Sequence, residues 1–574
     1  MSFKGLKILA FLVCAAVSCG TPPEVPGDGG KTTPSEPVSL EILSFGLDSY
    51  PNAEIKIDNA ARTVSIVLPH GSKLSSSRLT IDLPEGVSSR PASGDEVNLS
   101  SFKAVYLSDA ERRAAKFTVV ISIRESSSTA FTSITETSTL VKAQPKGDAV
   151  EFVLPYGTDL HHLGLSVQTN ESLSFSLDLA DVDLSSAKTL TITAADGETK
   201  RDLALSATLF PEDTGVRGVY LPSPTHTNSF LSYSKVCESI NLLDELNFNC
   251  LFVCAWAESK TAWDSDVLLA NSTWPTKAAG NMYSNYSGGS GDALKDIIEV
   301  AHSKGIKVIL WFEYGFMHSW GGVNNNDPVL LKHPGWLGTN EDGQPSHYNG
   351  TDFYYNAYDP EVQEFLLDMM KEAVGKYPGV DGVQGDDRLP AMPRDSGYDE
   401  ATMSRYLSET GNQRPVTRND EPWLRWRLDI LNAFAKRMHT ELKAIDPSLI
   451  VCFAPNKYPW CENVLMQDWP GWIEDGSVDL LTVQCYVIYN YREDVSETAT
   501  IVKGKTPADI FNPAMILKNG DNLLPPETIA EQLHYNRTVG TFGESQFWFD
   551  GLKETDIKAV FKAWYNYPVA FPDL

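Results

Sequence analysis

Two adjacent aspartates, Asp386 and Asp387, follow a short apolar segment, residues 380–383, whose pattern predicts a buried strand. Gly385 stands just before them and predicts a tight turn of the backbone. In a parallel α/β barrel, reactive groups lie at the carboxyl ends of the strands. Hydrolysis of a glycosidic bond needs two carboxyl groups, one acid and one base or nucleophile. The pair therefore predicts a sugar-hydrolysing site; a helix cap or a turn is the alternative role for either aspartate.

Other carboxylates also follow predicted strands. Glu313 comes directly after the predicted strand 306–312, and Asp550 follows the predicted strand 546–549. Glu258, after the predicted strand 249–256, is a reserve candidate. We therefore expect the catalytic carboxylates among Asp386, Asp387, Glu313 and Asp550, on the grounds of position.

Sugar rings bind to flat apolar faces and polar rims, because a pyranose has both kinds of surface. All thirteen tryptophans of the chain lie at or after Trp256. The side chains at or just beyond strand ends that we expect to contact substrate are Trp256, Trp320, Tyr314, Arg388, Asn456, Gln484, Tyr486 and Trp548. Arg388 has a second predicted role, an ion pair with a neighbouring aspartate. Trp311, inside a predicted strand, is expected in the core.

The elements that must position these side chains alternate between strand and helix from residue 216 onward, which indicates a parallel sheet. The predicted strands are 216–221, 249–256, 306–312, 380–383, 450–454, 479–486, 513–517 and 546–549, and the predicted helices are 233–247, 293–304, 361–376, 422–445, 526–537 and 554–565. Eight such units predict a (β/α)8 TIM barrel over residues 214–574. A doubly wound open sheet is the competitor, but no Gly-rich phosphate loop follows the first strand.

The region before the barrel is rich in Ser, Thr, Val and Leu in short alternating runs, typical of small all-β sandwiches. Residues 65–74 and 151–160 are similar to each other, with Pro69 and Pro155 at matching positions. This repeat predicts two tandem β-sandwich domains, 38–125 and 126–210. Asp196-Gly197 predicts a hairpin turn in the second. Neither carries a tryptophan platform, so a spacer role is expected, with glycan binding as the alternative.

The N-terminus predicts export. Lys4 and Lys7 precede an apolar run, residues 8–17, which is too short to span a bilayer as a mature helix. The following Ala16-Val-Ser-Cys19 resembles a bacterial lipobox, with Cys19 as the lipidated residue. We therefore expect a signal peptide over 1–19, a flexible tether over 20–37 and a lipid-anchored protein of the bacterial cell envelope, on either face of the outer membrane. Ordinary secretion with cleavage nearby is the alternative.

The amino-acid composition restricts the classes of partner that the protein is expected to bind. The 574-residue chain has a formal net charge of −28, which disfavours nucleic acid as a partner. Six of its eight cysteines lie beyond the signal, mostly in apolar runs, and are expected to be buried free thiols. No Cys and His pattern has the spacing of a zinc site, and neither a metal nor a cofactor is expected.

The barrel region resembles the glycosyl-hydrolase-like 10 family. The resemblance rests on Arg217-Gly-Val-Tyr-Leu221, residues 242–249 and 301–312, Val380-Asp-Gly-Val-Gln-Gly-Asp-Asp387 and residues 479–486, and it covers roughly residues 214–490. It implies a TIM-barrel carbohydrate hydrolase. Members of the family are commonly bacterial envelope proteins, some of them associated with peptidoglycan glycan strands. The two β-domains resemble the Ig-like modules of Bacteroidota surface lipoproteins, which stand between the lipid anchor and the functional domain.

The resulting functional hypothesis is an envelope-anchored glycoside hydrolase that cleaves a polysaccharide or a peptidoglycan-type glycan with a carboxylate pair. A surface glycan-binding lipoprotein without catalysis is the main alternative. A second alternative is a hard cation held by Asp386, Asp387 and Glu313, since such ions take carboxylate oxygens. A purely structural surface protein is a third, although a scaffold has little use for acidic strand ends.

Overall fold

The computed structural model describes residues 38–415, 417–520 and 522–574. The predicted signal peptide, the tether and Cys19 lie outside the described residues. The chain divides into two compact units, one ending at Ser126 and the other running from Ser127 to Leu574. Within the described ranges, no helix combines the length and the apolar character that crossing a membrane requires.

The first unit is a two-sheet β-sandwich. Its strands are β1 (Ser44–Leu47), β2 (Glu54–Asp58), β3 (Thr63–Leu68), β4 (Ser76–Asp82), β5 (Val87–Arg90), β6 (Glu96–Asn98), β7 (Ala104–Asp109) and β8 (Ala114–Ile123). One sheet has the order β1-β4-β6 and the other β2-β3-β8-β7-β5. Alternate residues of β3, β4, β7 and β8 are buried in a single shared core. This alternation is the period of two that the sequence pattern predicts.

The second unit begins with a smaller β-module. Its strands are β9 (Ser133–Glu136), β10 (Lys142–Ala143), β11 (Ala149–Leu154), β12 (Leu165–Gln168), β13 (Ser174–Phe175), β14 (Lys188–Thr193) and β15 (Lys200–Leu209). The repeat is visible in the topology: β3 pairs in parallel with β8, and β11 pairs in parallel with β15. Both β3 and β11 end at the residue before a proline, which has no N–H to continue a ladder. The predicted hairpin turn joins β14 to β15, with Gly197 at φ +74°.

The rest of the second unit alternates strands and helices. In chain order the strands are β16 (Val216–Leu221), β17 (Cys250–Cys254), β18 (Trp256–Ala257), β19 (Lys260–Thr261), β20 (Lys307–Phe312), β21 (Met317–Trp320), β22 (His347–Tyr348), β23 (Asp352–Tyr354), β24 (Gly382–Gly385), β25 (Ile450–Phe453), β26 (Leu480–Leu481), β27 (Ala514–Ile516), β28 (Lys518–Asn519), β29 (Asn522–Leu523) and β30 (Gly543–Phe547). The helices are α1 (Tyr233–Glu245), α2 (Asp266–Ala270), α3 (Ala293–His302), α4 (Pro328–Lys332), α5 (Pro360–Lys376), α6 (Glu400–Thr410), α7 (Glu421–Ile445), α8 (Trp460–Leu465), α9 (Trp469–Glu474), α10 (Tyr491–Lys505), α11 (Pro526–Val539) and α12 (Thr555–Trp564).

Eight of these strands form one parallel sheet in the order β26-β25-β24-β20-β17-β16-β30-β27. Parallel bridges from Leu481 to Phe511 and from Gln484 to Ala514 join its two ends. The sheet therefore closes into a barrel, and the predicted (β/α)8 fold is confirmed. The strands are buried on both faces, as a barrel enclosed by helices requires.

The structure corrects the predicted bounds of several barrel strands. The sixth strand, predicted over 479–486, is Leu480–Leu481. The fourth strand is Gly382–Gly385, not 380–383, so Gly385 ends the strand and does not make a left-handed turn. Glycine is needed there for space, because a Cβ would lie 2.4 Å from the carbonyl oxygen of Leu389. The eighth strand is Gly543–Phe547, not 546–549. Its buried residues are largely polar, and an apolar pattern does not detect such a strand.

The second β-module packs directly on the barrel. The indole N–H of Trp564, at the end of α12, donates to the carbonyl oxygen of Thr139 at 2.8 Å. The rings of Tyr156 and Tyr567 also meet edge to face, 5.1 Å apart. Buried residues of the module and of the barrel belong to one continuous hydrophobic core. Residues 127–574 thus behave as one compact unit, while the predicted boundary between domains near residue 210 remains a prediction.

Candidate active site

Two of the predicted carboxylates follow neighbouring strands of the barrel. Glu313 comes directly after β20 and Asp386 directly after β24. These strands are paired in parallel, with Phe312 opposite Gly385. Because each carboxylate is the next residue along its strand, both emerge side by side at the C-terminal face.

Asp386 is held in one orientation by two donors to the same oxygen. Its Oδ1 accepts hydrogen bonds from Gln484 Nε2 at 2.6 Å and from the backbone N–H of Asp387 at 2.8 Å. The residue is only 3% exposed. Burial, and then the charge of Asp387, raise the pKa of Asp386 well above its usual value. Asp386 therefore favours the protonated state more strongly than an ordinary aspartate does.

Asp387 lies in a more polar environment than Asp386. Arg388 Nη1 lies 3.0 Å from Asp387 Oδ1, and Asn456 Nδ2 donates to Asp387 Oδ2 at 3.1 Å. Burial raises the pKa of Asp387, while the charge of Arg388 opposes that rise. The donors around Asp387 favour its ionised form, so the pair has one carboxyl group suited to each protonation state.

Arg388 links the carboxylates of this face. The same Nη1 atom lies 3.8 Å from Asp386 Oδ2, and its Nε donates to Asp352 Oδ2 at 3.3 Å. The ion pair predicted between Arg388 and a neighbouring aspartate is therefore present in the structure. Asp352, on β23, was not foreseen, because it lies in a long loop after β20 with no motif around it.

Glu313 has a different environment from the aspartate pair. Its Oε2 accepts a hydrogen bond from the thiol of Cys254 at 3.3 Å. Burial raises the pKa of Glu313, although the charge of Arg388 acts in the opposite direction. Cys254 is the last residue of β17 and was expected only as a buried thiol, so its contact with Glu313 was not foreseen.

A close backbone contact ties the loop after Glu313 to the loop after Asp387. Gly315 has φ +48°, and a Cβ there would lie 2.5 Å from the carbonyl oxygen of Arg388. The backbone N–H of Phe316 donates to that same oxygen at 3.0 Å. Trp256 fixes this loop, since its indole N–H donates to the carbonyl oxygen of Gly315 at 3.0 Å. Trp256 is completely buried, so it supports the site and offers no face to a sugar, contrary to the prediction.

The other predicted substrate contacts lie in varied surroundings. Trp320, at the end of β21, has 68% of its surface exposed, whereas Tyr314 is buried. The ring of Tyr486 contacts that of Phe547, which in turn contacts Trp548. Gln484 and Asn456 were expected to bind sugar hydroxyls, but in the structure their amides donate to Asp386 and Asp387. Their role as substrate contacts stays a prediction.

Asp550 and Glu258 lie in different surroundings. Asp550 is in a short 3-10 helix after β30, where its Oδ1 accepts from Ser229 Oγ at 2.6 Å and pairs with Lys553 at 2.8 Å. Burial alone would raise the pKa of Asp550, but its hydrogen bonds from Lys553 and Ser229 lower it. Glu258 is exposed and lines a cavity of about 260 Å³. Burial raises the pKa of Tyr314, and the charge of Glu258 adds to that rise, so Glu258 lies near the loop after β20. The structure thus brings Asp386 and Asp387 together at Arg388 and places Glu313 after the neighbouring strand, where the charge of Arg388 acts on it. Asp550 instead pairs with Lys553.

In the described part of the chain, no group of three or more His, Cys, Asp or Glu side chains is arranged to hold a metal ion. The six cysteines of the described ranges are free thiols, and all but Cys237 are buried.

Comparison with known proteins identifies the family. The Glycosyl hydrolase-like 10 family matches residues 215–504, just over half of the 574-residue chain, and the chain belongs to this family. A second family, described as "SGBP, N-terminal", matches residues 42–121. No curated protein matches the chain.

Solved structures similar to this chain include carbohydrate-active enzymes. The glycoside hydrolase domain of PgaB (BpsB) from Bordetella bronchiseptica has a TM-score of 0.47 at 12% identity, over 62% of this chain and 99% of that one. The catalytic domain of a β-amylase from Paenibacillus polymyxa has a TM-score of 0.42 at 11% identity, over 63% of this chain and 99% of that one. A β-galactosidase from Rahnella sp. R3 has a TM-score of 0.42 at 13% identity, over 62% of this chain and 57% of that one.

Proposed function

We propose that this protein is a glycoside hydrolase that cleaves glycosidic bonds of a polysaccharide or a peptidoglycan-type glycan. The observation that carries the proposal is the group formed by Asp386, Asp387 and Glu313 around Arg388. The carboxyl groups of this cluster have different environments. Such differences give carboxyl groups different pKa values, so that in glycoside hydrolysis one acts as the proton donor while the other is ionised. Membership of the Glycosyl hydrolase-like 10 family supports the same reaction class.

Asp387 is the ionised partner in this proposal. Arg388 and Asn456 stabilise its negative charge, which then acts as base or nucleophile on the anomeric side of the bond. Glu313 is the proton donor, because burial raises its pKa and its hydrogen bond comes from a neutral thiol. Asp386 is the member of the aspartate pair that stays protonated. It also orients Asp387, because its side chain accepts a hydrogen bond from the backbone N–H of Asp387.

The cell envelope is the proposed location. The lipobox-like residues before Cys19 favour lipid anchoring, and the SGBP match supports a surface protein that meets glycans. That match also favours the second candidate function, a glycan-binding lipoprotein without catalysis. The two candidates differ in one property, because only the hydrolase makes new reducing ends.

The test is the release of reducing ends by the purified protein from a panel of bacterial-wall, plant and host glycans. On any glycan that is cleaved, Asp387→Asn and Glu313→Gln should each lower the turnover rate by about 10²-fold or more, the scale of general acid–base catalysis. Ground-state binding should change far less, since these groups act on charge that develops in the transition state. Asp386→Asn should show a loss of the same kind.

Asp381→Asn is the matched control. Asp381 immediately precedes β24, at the opposite end of the strand from Asp386, and its carboxylate binds Lys307, His302 and the backbone N–H of Val308. The control should lower the melting temperature and leave turnover per folded molecule near that of the wild type. Retention of near wild-type turnover by all three site variants would overturn the assignment. Binding without any release of reducing ends would favour the glycan-binding candidate.

A further inference from the structure

A second cavity opens on the same face of the barrel, away from the carboxylates. It has a volume of about 310 Å³, at the lower end of the range of about 300–1,000 Å³ that is usual for small-ligand sites. Loops that follow three consecutive barrel strands, β20, β24 and β25, build it. We call it the arginine pocket. Its polar side chains are those of His347, Tyr348, Arg394, Asp395, Arg418, Asn419 and Asn463.

A buried arginine fixes the two loop segments that carry Arg394 and Arg418. Arg427, on α7, is completely buried and donates to the carbonyl oxygens of Arg394 at 2.7 Å and of Arg418 at 2.9 Å. It also donates to Ser396 O at 2.8 Å, and its guanidinium lies 4.6 Å from the centre of the Trp423 ring. The backbone of both arginines is therefore held in place before any ligand arrives, which lowers the entropy cost of binding.

The donors of the pocket are only partly used. Arg394 Nε donates to Asn419 Oδ1 at 3.0 Å, and Arg394 Nη1 approaches Asn463 Oδ1 at 3.4 Å. Within the described ranges, no protein atom accepts from Arg394 Nη2 or from Asn419 Nδ2. Arg418 Nη1 forms a long ion pair with Asp395 Oδ2, at 4.0 Å. The pocket therefore presents two guanidinium groups, on segments whose backbone Arg427 holds, with N–H donors that the pocket itself uses only in part.

A chain of contacts joins the pocket to the carboxylate cluster. Tyr348 is the cross-strand partner of Asp352, which forms the ion pair with Arg388. The ring of Tyr348 also meets that of Trp460 edge to face, with centroids 5.6 Å apart. A glycan that crosses the C-terminal face would reach the pocket from the carboxylates along these residues.

We propose that the arginine pocket is a subsite for a sugar unit that carries an oxyanion, either a uronate carboxylate or a sulfate ester. Planar guanidinium groups match such oxyanions with paired N–H donors. The pocket stands out because the chain as a whole is acidic, with a net charge of −28, so an anionic glycan gains attraction chiefly where arginines converge. The inference rests on the proposed function, since it names the chemical class of that glycan.

The test compares matched oligosaccharides by calorimetry on the full chain. One pair is tri-galacturonate and its fully methyl-esterified form; the other is a sulfated carrageenan oligosaccharide and its desulfated form. At least one charged member should bind about tenfold or more tightly than its neutral counterpart, and added salt should reduce the difference. The pair that shows the preference identifies the oxyanion as carboxylate or sulfate.

Substitutions assign the effect to the pocket. Arg394→Gln and Arg418→Gln should each weaken binding of the charged ligand by about tenfold and leave the neutral ligand within about twofold. Asp395→Asn should tighten binding of the charged ligand, because it removes the negative charge next to Arg418. Arg492→Gln is the matched control: it removes one arginine charge from an exposed pair with Glu531 and should change neither affinity. Arg418 makes no side-chain hydrogen bond within the described ranges, so its variant remains informative if Arg394→Gln fails to fold.

Equal affinity for charged and neutral members of both pairs, or binding of neither, would overturn the subsite. A charge preference that survives both arginine substitutions would do the same. The outcome is separable from the proposed hydrolysis, because reducing ends are measured in the same samples. Selective binding of a charged ligand without cleavage would support the subsite and count against the hydrolase. Cleavage of neutral glycans alone would support the hydrolase and count against the subsite.

Discussion

The side-chain amide of Gln484 donates a 2.6 Å hydrogen bond to Oδ1 of Asp386. Gln484 lies three residues beyond β26 and bridges in parallel to Ala514, the first residue of β27, whereas Asp386 directly follows β24. The contact therefore passes over β25, the strand between β24 and β26, and links the orientation of Asp386 to the segment that closes the sheet.

Replacing this donor should impair catalysis more than folding. Gln484→Leu leaves Asp386 Oδ1 with only the backbone donor from Asp387, so the carboxyl group loses a fixed orientation. We expect kcat to fall by about tenfold with little change in KM, measured on a glycan that the wild type cleaves. Gln363→Leu is the control, since Gln363 donates to Ala357 O at 2.7 Å outside the site. That variant should lower the melting temperature alone; equal kinetic losses in both variants would contradict the assigned role.

Removal of the charge of Arg388 should shift the pH dependence of activity to higher pH. Arg388 lowers the pKa of both Asp387 and Glu313 against the rise that burial causes. Without that charge, Asp387 becomes protonated at a higher pH, which moves the acidic limb upward, and Glu313 keeps its proton to a higher pH, which moves the basic limb upward. A pH profile of kcat/KM for Arg388→Gln should show both shifts. Arg388→Lys keeps the charge and should stay nearer the wild-type profile; an unmoved profile for the Gln variant would exclude the coupling.

Exposed Trp320 should contribute to binding of a long glycan and not to chemistry. An aromatic ring that is 68% exposed at the end of β21 is available for stacking on a sugar. Trp320→Ala should raise KM for a polysaccharide by about tenfold, the scale of one stacking contact, with kcat and the melting temperature unchanged. Tyr106→Ala, at an exposed position of the first β-sandwich, should leave KM unchanged. A KM for Trp320→Ala equal to that of the wild type would remove Trp320 from the set of substrate contacts.

The two β-modules should respond differently to truncation. A fragment that starts at Ser127 retains every contact of the second compact unit, so its barrel should melt at the wild-type temperature. A fragment that starts near residue 212 loses the partners of Trp564 and Tyr567 and part of the shared core, so its melting temperature should fall by several degrees. Calorimetry on both fragments measures the two melting temperatures. Identical melting temperatures would show that the second module is an independent spacer.

The predicted lipid anchor has a direct test. Cys19→Ser removes the thiol that a lipid would modify, so the protein should move from the membrane fraction to the soluble fraction of the producing bacterium. Cys14→Ser, which changes a cysteine inside the apolar run, is the matched control and should leave the protein with the membrane. Immunoblots of separated fractions provide the measurement. Full membrane retention of Cys19→Ser would rule out lipidation at this residue.

Local sequence patterns were sufficient to predict those features of the structure that depend on residues near one another in the chain. The alternation of strands and helices predicted the barrel, which is confirmed. The proline-containing repeat predicted two β-domains, and its two copies are the matching strands β3 and β11. The acidic residues that follow β20 and β24 lie at the C-terminal face, as their positions predicted; their catalytic role stays a prediction. Each of these signals lies within one element, where side-chain period and turn chemistry act over a few residues.

The tertiary structure decided whatever depends on burial or on partners distant along the chain. Nothing near Trp256 in the sequence shows that its indole supports Gly315, and nothing near Arg388 shows that Asp352 is its partner. The sequence of β30 lacks the apolar pattern of a buried strand, because its buried residues are polar and have hydrogen-bonding partners elsewhere in the chain. Arg394 and Arg418 form one pocket only because Arg427 holds both of their loops. The local sequence pattern therefore determined which side chains lie at the mouth of the barrel. The tertiary structure determined which of those side chains contact one another, because burial and pairing depend on residues that are far apart in the sequence.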